Sequence, residues 1–299
     1  MSSRAIINLL LLVLVAVLAA LVYFRPGSTQ QQPGQAAPLL AQPPATPSTV
    51  TLQQPGKPEV VLQRRGGYWW VVRPVDSRAN PFRVDAILRL LQAQAHSRFP
   101  AVAGDLARYQ LAPPLAWLRV DDVTVQFGGT ETLNNYRYVQ VGGEVALIDD
   151  AFYQVFTDVP ALLALELLPP DQKPLAVTLP GLKLVRQASG GWQASGRTLS
   201  ADQINDVITA WRQAQGVQVT AYGSDELRKP AGRVAVQLEG GQILQFVMIE
   251  DGGELVLVRP DLGVGYHLSD VQREQMFALK PRDYAAEPLV PPSGSRPVQ

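Results

Sequence analysis

The chain of 299 residues carries 26 basic and 26 acidic side chains, so its formal net charge is zero, and it contains no cysteine. A nucleic-acid-binding protein needs a basic surface that displaces counterions from phosphates, and this composition offers no basic excess. The lack of cysteine excludes disulfides, thiolate nucleophiles, cysteine-ligated zinc and a lipidated cysteine. The hydrophobic fraction of 46% suffices for folded cores together with a membrane segment.

Residues 6–24 form an apolar run, IINLLLLVLVAVLAALVYF, in which Asn8 is the one polar side chain. A helix of this length extends about 28 Å, close to the thickness of the hydrocarbon core of a bilayer. Tyr23 and Phe24 close the run as interfacial aromatic residues. We therefore predict a transmembrane anchor over residues 1–24. A cleaved signal peptide is the alternative, but its shorter apolar region would be followed by a polar cleavage region, which this run lacks.

The charges that flank this run predict its orientation. Arg4 and the amino group precede it, whereas Arg25 follows it and the next cation is Lys57. Since positive charge favours the cytoplasmic side, we expect the body of the protein to lie outside. In a bacterium this makes it a single-pass protein of the inner membrane with a periplasmic globular part.

Residues 25–48 are rich in Gln, Pro, Ala and Ser and show neither a helical nor a strand period. Such a segment buries too little apolar surface to order itself, so it is predicted to be a flexible linker. A proline-rich docking segment is the alternative, but no PxxP motif with flanking basic residues supports it. Residues 282–299, also rich in proline, are predicted to form a disordered tail.

The body of the chain is predicted to be two tandem copies of one unit, a first unit over 49–168 and a second over 169–281. Each begins with three strands, the last two separated by a diglycine that suits a tight reversal. These runs are VTL (50–52), EVVLQRR (59–65) and YWWVVRP (68–74) in the first unit, and VTL (177–179), LKLVRQ (182–187) and WQASG (192–196) in the second.

An amphipathic helix follows in each unit. Asn80 before Pro81 predicts the start of the first helix, and Ser200 with Gln203 forms a capping box for the second. The apolar stripe has the spacing of a helix and recurs 120 positions later in the chain. Its members are Val84, Ile87, Leu88 and Leu91, then Ile204, Val207, Ile208 and Trp211.

Four further strands and a short closing helix complete each unit. The closing helices are predicted over 150–156 and 269–277, and the Pro-rich segment 168–174 separates the units. The predicted fold class is therefore α+β: two tandem copies of a mostly antiparallel sheet, each packed by one amphipathic helix, after an N-terminal transmembrane helix.

Several phrases in residues 50–160 resemble a family of bacterial membrane-anchored proteins, the domain of unknown function 4340 family. They are RRGGYWWVVRP (64–74), VDAILRLLQAQ (84–94), YQLAPPLAWLRV (109–120) and VTVQFGG (123–129), after an apolar segment that ends in LAALVYF. Gln110 stands where the Tyr-Gly-Leu phrase of the family has glycine. Some relatives accompany ABC-type export or gliding-motility components, so the resemblance implies an envelope or ABC-transporter protein partner. It brings no established catalytic residues.

The sequence shows no pattern of catalytic, cofactor-binding or metal-binding residues, and we predict none. His96 and His267 form neither an HExxH motif nor a close pair, and His96 is expected to end the first long helix. No serine-nucleophile elbow or phosphate-binding glycine loop is present. The acidic pairs, Asp121-Asp122, Asp149-Asp150 and Glu250-Asp251, are typical of turns and helix N-caps.

Aromatic residues are the remaining candidates. Strand alternation places Tyr68 and Trp70 on one face and Trp69 on the other, and it places Tyr136 and Tyr138 on a common face. We name Trp69, Tyr136 and Tyr138 as a candidate interaction face, with burial in the cores as the favoured alternative.

The sequence as a whole predicts a non-enzymatic, membrane-tethered envelope module that binds a protein partner in a transport or envelope-assembly complex. No cofactor and no nucleic-acid partner is expected. The alternative is a module that binds glycan, peptidoglycan or a small ligand through exposed aromatic residues. A hydrolase ranks last because no catalytic motif supports it.

Overall fold

The computed structural model describes residues 37–223, 227 and 230–278. The predicted anchor, the predicted linker before Ala37 and the predicted tail lie outside these residues. Within the described part of the chain, no helix is both long and apolar enough to cross a bilayer.

The described chain is α+β, with two large antiparallel sheets and three α-helices. The helices are α1 (Pro81–Leu90), α2 (Ala201–Arg212) and α3 (Asp270–Phe277). Both predicted N-caps are confirmed. The Asn80 side chain accepts hydrogen bonds from the backbone N–H groups of Phe82 and Arg83, and Ser200 forms the capping box with Gln203.

The first sheet has nine strands in the order β5-β4-β3-β2-β8-β9-β10-β11-β7. Its strands are β2 (Thr49–Gln53), β3 (Val60–Arg65), β4 (Tyr68–Arg73), β5 (Ser77–Arg78), β7 (Ser97–Pro100), β8 (Ala116–Val120), β9 (Val123–Thr130), β10 (Tyr136–Val141) and β11 (Glu144–Asp149). Two short strands outside it, β1 (Ala37–Pro38) and β6 (Gln94–Ala95), pair with each other.

The second sheet has eight strands in the order β14-β13-β12-β16-β17-β18-β19-β15. They are β12 (Pro174–Leu179), β13 (Leu182–Arg186), β14 (Trp192–Ser195), β15 (Gln218–Ala221), β16 (Gly232–Leu238), β17 (Ile243–Asp251), β18 (Glu254–Arg259) and β19 (Val264–Leu268). Apart from β5, the two sheets have the same strand order. In both, the helix follows the third strand and the chain then adds a strand at the far edge, β7 or β15. These two edge strands were not predicted.

The helices and one face of each sheet enclose the core. We call the core-lining face of the first sheet its inner face; it carries Leu62, Val71, Leu118, Phe127 and Val139, each fully buried. Val84 and Ile87 of α1 belong to the same cluster of buried residues, which also includes Trp211 of α2 and Phe246 of β17. On the opposite, outer face of the first sheet lies the segment 101–115, whose residues 109–111 contact Gly128, Gly129 and Tyr138.

Part of the predicted linker is bound to the body, which corrects that prediction. The backbone N–H of Leu39 donates to the carbonyl of Ala93 (2.7 Å), and that of Leu40 donates to the carbonyl of Leu91 (3.0 Å). Leu39 is only 2% exposed. Leu39 in the core and the partly buried Leu40 stabilise this segment, and two adjacent leucines produce no detectable period in a Pro-rich sequence.

The segment between the two sheets pairs with both of them. On the side of the first sheet, the N–H of Asn80 donates to Leu162 and that of Ala164 donates to Arg78. On the side of the second, the N–H of Gly216 donates to Leu165. The chain that precedes the predicted Pro-rich boundary is therefore buried, with Leu163 fully enclosed.

The closing helix of the first unit is a 3-10 helix, Asp150–Val155, whereas that of the second is the α-helix α3. Gln110 adopts a left-handed conformation with φ of 56° at the end of another 3-10 helix, Ala103–Tyr109. Glycine adopts this conformation without steric cost, whereas a residue with a side chain rarely does.

Candidate functional site

The structure separates Trp69 from the two tyrosines of the predicted interaction face. Trp69 lies on the inner face of the first sheet, two residues before buried Val71, and packs against the core. Tyr136 and Tyr138 lie on the outer face. The three side chains therefore share no common surface.

Tyr138 is covered by the segment that crosses the outer face. Its ring centroid lies 4.6 Å from that of Tyr109, which in turn lies 5.4 Å from that of Phe99. Burial is the main cause that raises the pKa of the Tyr138 phenol. Tyr138 contributes to intramolecular packing instead of a free surface.

Tyr136 stacks on His96, with ring centroids 3.9 Å apart and ring planes 7° from parallel. The Nε2 atom of His96 lies 3.0 Å from Oδ1 of Asp149. His96 does not end the first long helix, as the sequence predicted, because α1 stops at Leu90 and β6 follows it. His96 lies between β6 and β7 and contacts Tyr136 of β10 and Asp149 of β11.

A small cleft of about 150 Å³ lies between the two sheets. Its walls include Trp70, Arg78, Glu166, Arg259 and Tyr266. Arg259 already forms two hydrogen bonds to Asp261, of 2.8 and 2.6 Å, which lower the pKa of that carboxyl group. The Arg78 guanidinium lies 3.8 Å from the ring centroid of Tyr68. Both arginines of the cleft are thus engaged within the protein.

A larger groove of about 310 Å³ lies on the first unit between α1 and the 3-10 helix Asp150–Val155. We call it the α1 groove. One wall consists of α1 side chains at a spacing of three, and the other wall and floor are mainly apolar. The lining residues are Arg83, Ala86 and Arg89, then Ala151, Phe152, Gln154, Val155 and Thr157, with Leu162.

Helical periodicity positions the α1 wall. Val84 and Ile87 are 1% exposed and fix the inner side of α1 to the core. Arg83 and Arg89 therefore project from the exposed side, with Ala86 between them as a small residue that leaves the groove open.

A buried arginine holds the opposite wall. The Nε of Arg137 donates to Oδ1 of Asp150 at 2.6 Å, and its Nη1 donates to the carbonyl of Gly128 at 2.6 Å. The guanidinium also lies 3.8 Å from the ring centroid of Tyr153. These contacts attach the 3-10 helix to the first sheet, and Phe156 packs edge-on against Phe127 below it.

The electrostatics of the α1 groove are simple. The Arg83 and Arg89 guanidinium groups are exposed, and within the described residues neither forms an ion pair or a hydrogen bond. Phe82 is 78% exposed beside Arg83. The site thus combines two arginines that form no ion pair among the described residues with an apolar surface, a combination suited to binding a ligand.

The second unit lacks this combination at the corresponding positions. The α2 residues that lie 120 positions after Arg83, Ala86 and Arg89 are Gln203, Asp206 and Thr209. The opposite side carries Gln272, Glu274 and Gln275 in place of Phe152, Gln154 and Val155. Since the second unit forms the same helix and sheet with polar and acidic residues there, the fold does not require the basic and apolar residues of the first.

Sequence reasoning missed the α1 groove because its residues form no motif. The signal available was the difference between the two copies at aligned helix positions. At aligned positions, the first predicted copy has two arginines and a phenylalanine where the second has neutral or acidic residues. Reading this difference as a site also requires knowing which sides of α1 and of the closing helix face each other.

Within residues 37–223, 227 and 230–278, no group of three or more His, Cys, Asp or Glu side chains is arranged to hold a metal ion. Asp121 lies in the turn between β8 and β9, as its sequence pattern predicted, with φ of 48°. Comparisons with protein-family models, curated protein sequences and solved structures give no significant match.

Proposed function

We propose that this protein is a non-enzymatic, membrane-tethered envelope module that binds a protein partner through its first unit. The observation that carries this proposal is the α1 groove, which combines apolar lining residues with two exposed arginines. A volume of about 310 Å³ lies at the lower end of the range for ligand-binding clefts, and the groove is open along α1. An open apolar groove beside a helix suits an inserted peptide segment.

The body is proposed to consist of two tandem copies of one unit, at 49–168 and 169–281. The support is the common strand order of the two sheets and the alignment of their helices at a constant spacing. In this proposal the second unit serves mainly as a scaffold, because its equivalent surface is polar and its closing helix packs tightly against α2. The indole of Trp211 and the ring of Phe277 meet there at 6.0 Å.

The membrane attachment is proposed on the apolar run at residues 6–24, with the body in the periplasm of a bacterium. Because Leu39 and Leu40 are hydrogen-bonded to the body, the proposed tether comprises residues 25–36. This tether would span about 19 Å as a coil and about 37 Å as a polyproline II helix. The first unit would therefore stay close to the bilayer, where a partner in a transport or envelope-assembly complex is within reach.

The proposal is tested by crosslinking in cells that express the tagged full-length protein, with identification of captured proteins by mass spectrometry. A tagged variant limited to residues 1–48 controls for capture by the anchor. Reproducible capture of one envelope protein by the full-length chain alone is the expected result. Capture that is identical in both samples would remove the partner-binding proposal.

Binding of glycan or peptidoglycan fragments is a second, weaker proposal. One observation favours it: Tyr68 is 45% exposed on the outer face of the first sheet, beside the Arg78 guanidinium. Such a pair suits a sugar ring, but Trp69 and Tyr138 from the predicted face are engaged in packing. A change in tryptophan fluorescence on titration with peptidoglycan fragments would favour it, and an unchanged signal across a broad panel would count against it.

A further inference from the structure

We infer that the α1 groove binds an acidic, apolar peptide segment of its protein partner, with a carboxylate held by each arginine and an apolar side chain between them. This inference deepens the proposed function and rests on it. The ligand is defined by chemistry: a short stretch in which Asp or Glu residues flank a Leu, Ile or Phe.

The apolar component follows from the groove walls. Phe152 and Val155 are half-buried, and Leu162 at the floor is 1% exposed. An aliphatic or aromatic side chain inserted between them and Ala86 is removed from water on both sides. The free energy of binding gains in proportion to the apolar area that is buried. The exposed Phe82 extends this apolar surface beyond the groove at the start of α1.

The acidic component follows from the spacing of the arginines. Arg83 and Arg89 lie six residues apart on one helix, a rise of about 9 Å. A peptide that lies along α1 therefore meets one guanidinium at each end of the groove, and a guanidinium binds a carboxylate in a bidentate geometry. A peptide with a single acidic residue at its centre would place its carboxylate beside neither arginine.

The position of the groove in the fold favours a protein near the membrane. Leu40 is hydrogen-bonded to Leu91, two residues after Arg89, so the tether leaves the body beside the end of α1. His96, which follows the strand β6 that pairs with Ala37–Pro38, contacts Asp149. Asp149 directly precedes the 3-10 helix that forms the other wall of the groove. A membrane-associated partner thus needs to expose only a short segment beyond the bilayer surface to reach the groove.

The occupant of the groove is tested with full-length protein in lipid nanodiscs and a fluorescent peptide of alternating Glu and Leu. Its counterpart with Lys in place of Glu is the control probe. We expect saturable binding of the Glu peptide, a loss of at least tenfold in affinity for the double variant R83E/R89E, and no binding of the Lys peptide. Because both arginines are exposed and unpaired, this variant should fold normally.

Two further variants distinguish the groove from general charge effects. Ala86→Trp should fill the groove and weaken binding at unchanged net charge, whereas Arg212→Glu at the end of α2 should leave the affinity unchanged. Equal loss in R212E and R83E/R89E, or no effect of A86W, would overturn the inference. Binding that follows the anionic lipid content of the nanodiscs instead of the peptide would also overturn it, in favour of a membrane-surface role.

The failure of the inference and that of the proposed function have different signatures. If crosslinking captures an envelope protein equally well with R83E/R89E, partner binding stands and the α1 groove is not its site. If full-length protein and the 1–48 control capture the same proteins, partner binding itself fails.

Discussion

The indole Nε1 of Trp211 donates a 2.9 Å hydrogen bond to the backbone carbonyl of Met276, and both residues are fully buried. This bond joins α2 to the closing helix α3 of the second unit. In the first unit the corresponding stripe position is occupied by Leu91, which has no donor, and the closing segment is a shorter 3-10 helix. At this place in the fold, the second unit therefore has a closing helix packed against α2, whereas the first unit has an open groove beside α1.

Trp211→Phe should destabilise the protein by about 1–3 kcal/mol, because it removes the buried hydrogen bond to the Met276 carbonyl. Urea unfolding followed by circular dichroism measures the change. Trp192→Phe is the matched control, since Trp192 is only partly buried on the edge strand β14. If the two variants lose the same stability, the hydrogen bond contributes nothing.

Leu39→Ala should destabilise the protein by about 2–3 kcal/mol, since it removes a buried side chain and leaves a cavity. It should also release the strand Ala37–Pro38, so hydrogen exchange of the Leu39 and Leu40 amides should accelerate. The control is Leu133→Ala, because Leu133 is 84% exposed and should tolerate truncation. Unchanged exchange at both amides in L39A would show that backbone pairing alone holds the segment.

Gly128→Ala should destabilise the protein by about 1–3 kcal/mol, because the new Cβ would overlap the Tyr109 carbonyl oxygen and also press on Leu111. The segment 101–115 would have to move away from the outer face of the first sheet. Thermal unfolding and the near-UV signal of the tyrosines check this expectation. Gly143→Ala is the control, since its Cβ would meet no atom within 4 Å; equal effects of the two changes would contradict the close approach.

Asp121 should contribute stability that disappears in acid. Burial alone would raise its pKa, but hydrogen bonds from the Ser48 hydroxyl and from the backbone N–H groups of Thr49 and Ser48 leave it below the usual 3.8. A carboxyl group whose pKa is lowered by folding stabilises the folded state above its unfolded pKa. This contribution is lost as the pH falls below about 3.8, through the lower folded value.

Asp121→Asn tests this pH dependence, because asparagine tolerates the left-handed backbone conformation at this position but carries no charge. We expect the difference in unfolding midpoint between wild type and variant to be largest at neutral pH and to shrink towards pH 3. Asp122→Asn, on the exposed neighbour, is the matched control substitution. A difference that is independent of pH would mean that the charge of Asp121 is immaterial.

The sequence determined the α+β class and the positions of most strands and of both amphipathic helices, because local chemistry sets these features. Asn80 and Ser200 cap helices through bonds within their own first turns, and the apolar spacing of Val84 and Ile87 reports a buried side without knowledge of what covers it. The edge strands β7 and β15 escaped prediction because their pairing partners, β11 and β19, lie far along the chain.

Only the tertiary structure decided which side chains meet. Trp69, Tyr136 and Tyr138 looked equivalent as aromatic residues in strands, but the register of the sheet places the tryptophan on the inner face and the tyrosines on the outer one. Arg83 and Phe152 lie far apart in sequence and line one groove because Arg137 binds Asp150 and sets the wall beside α1. A sequence carries the residue types of such a site, whereas long-range packing brings them together.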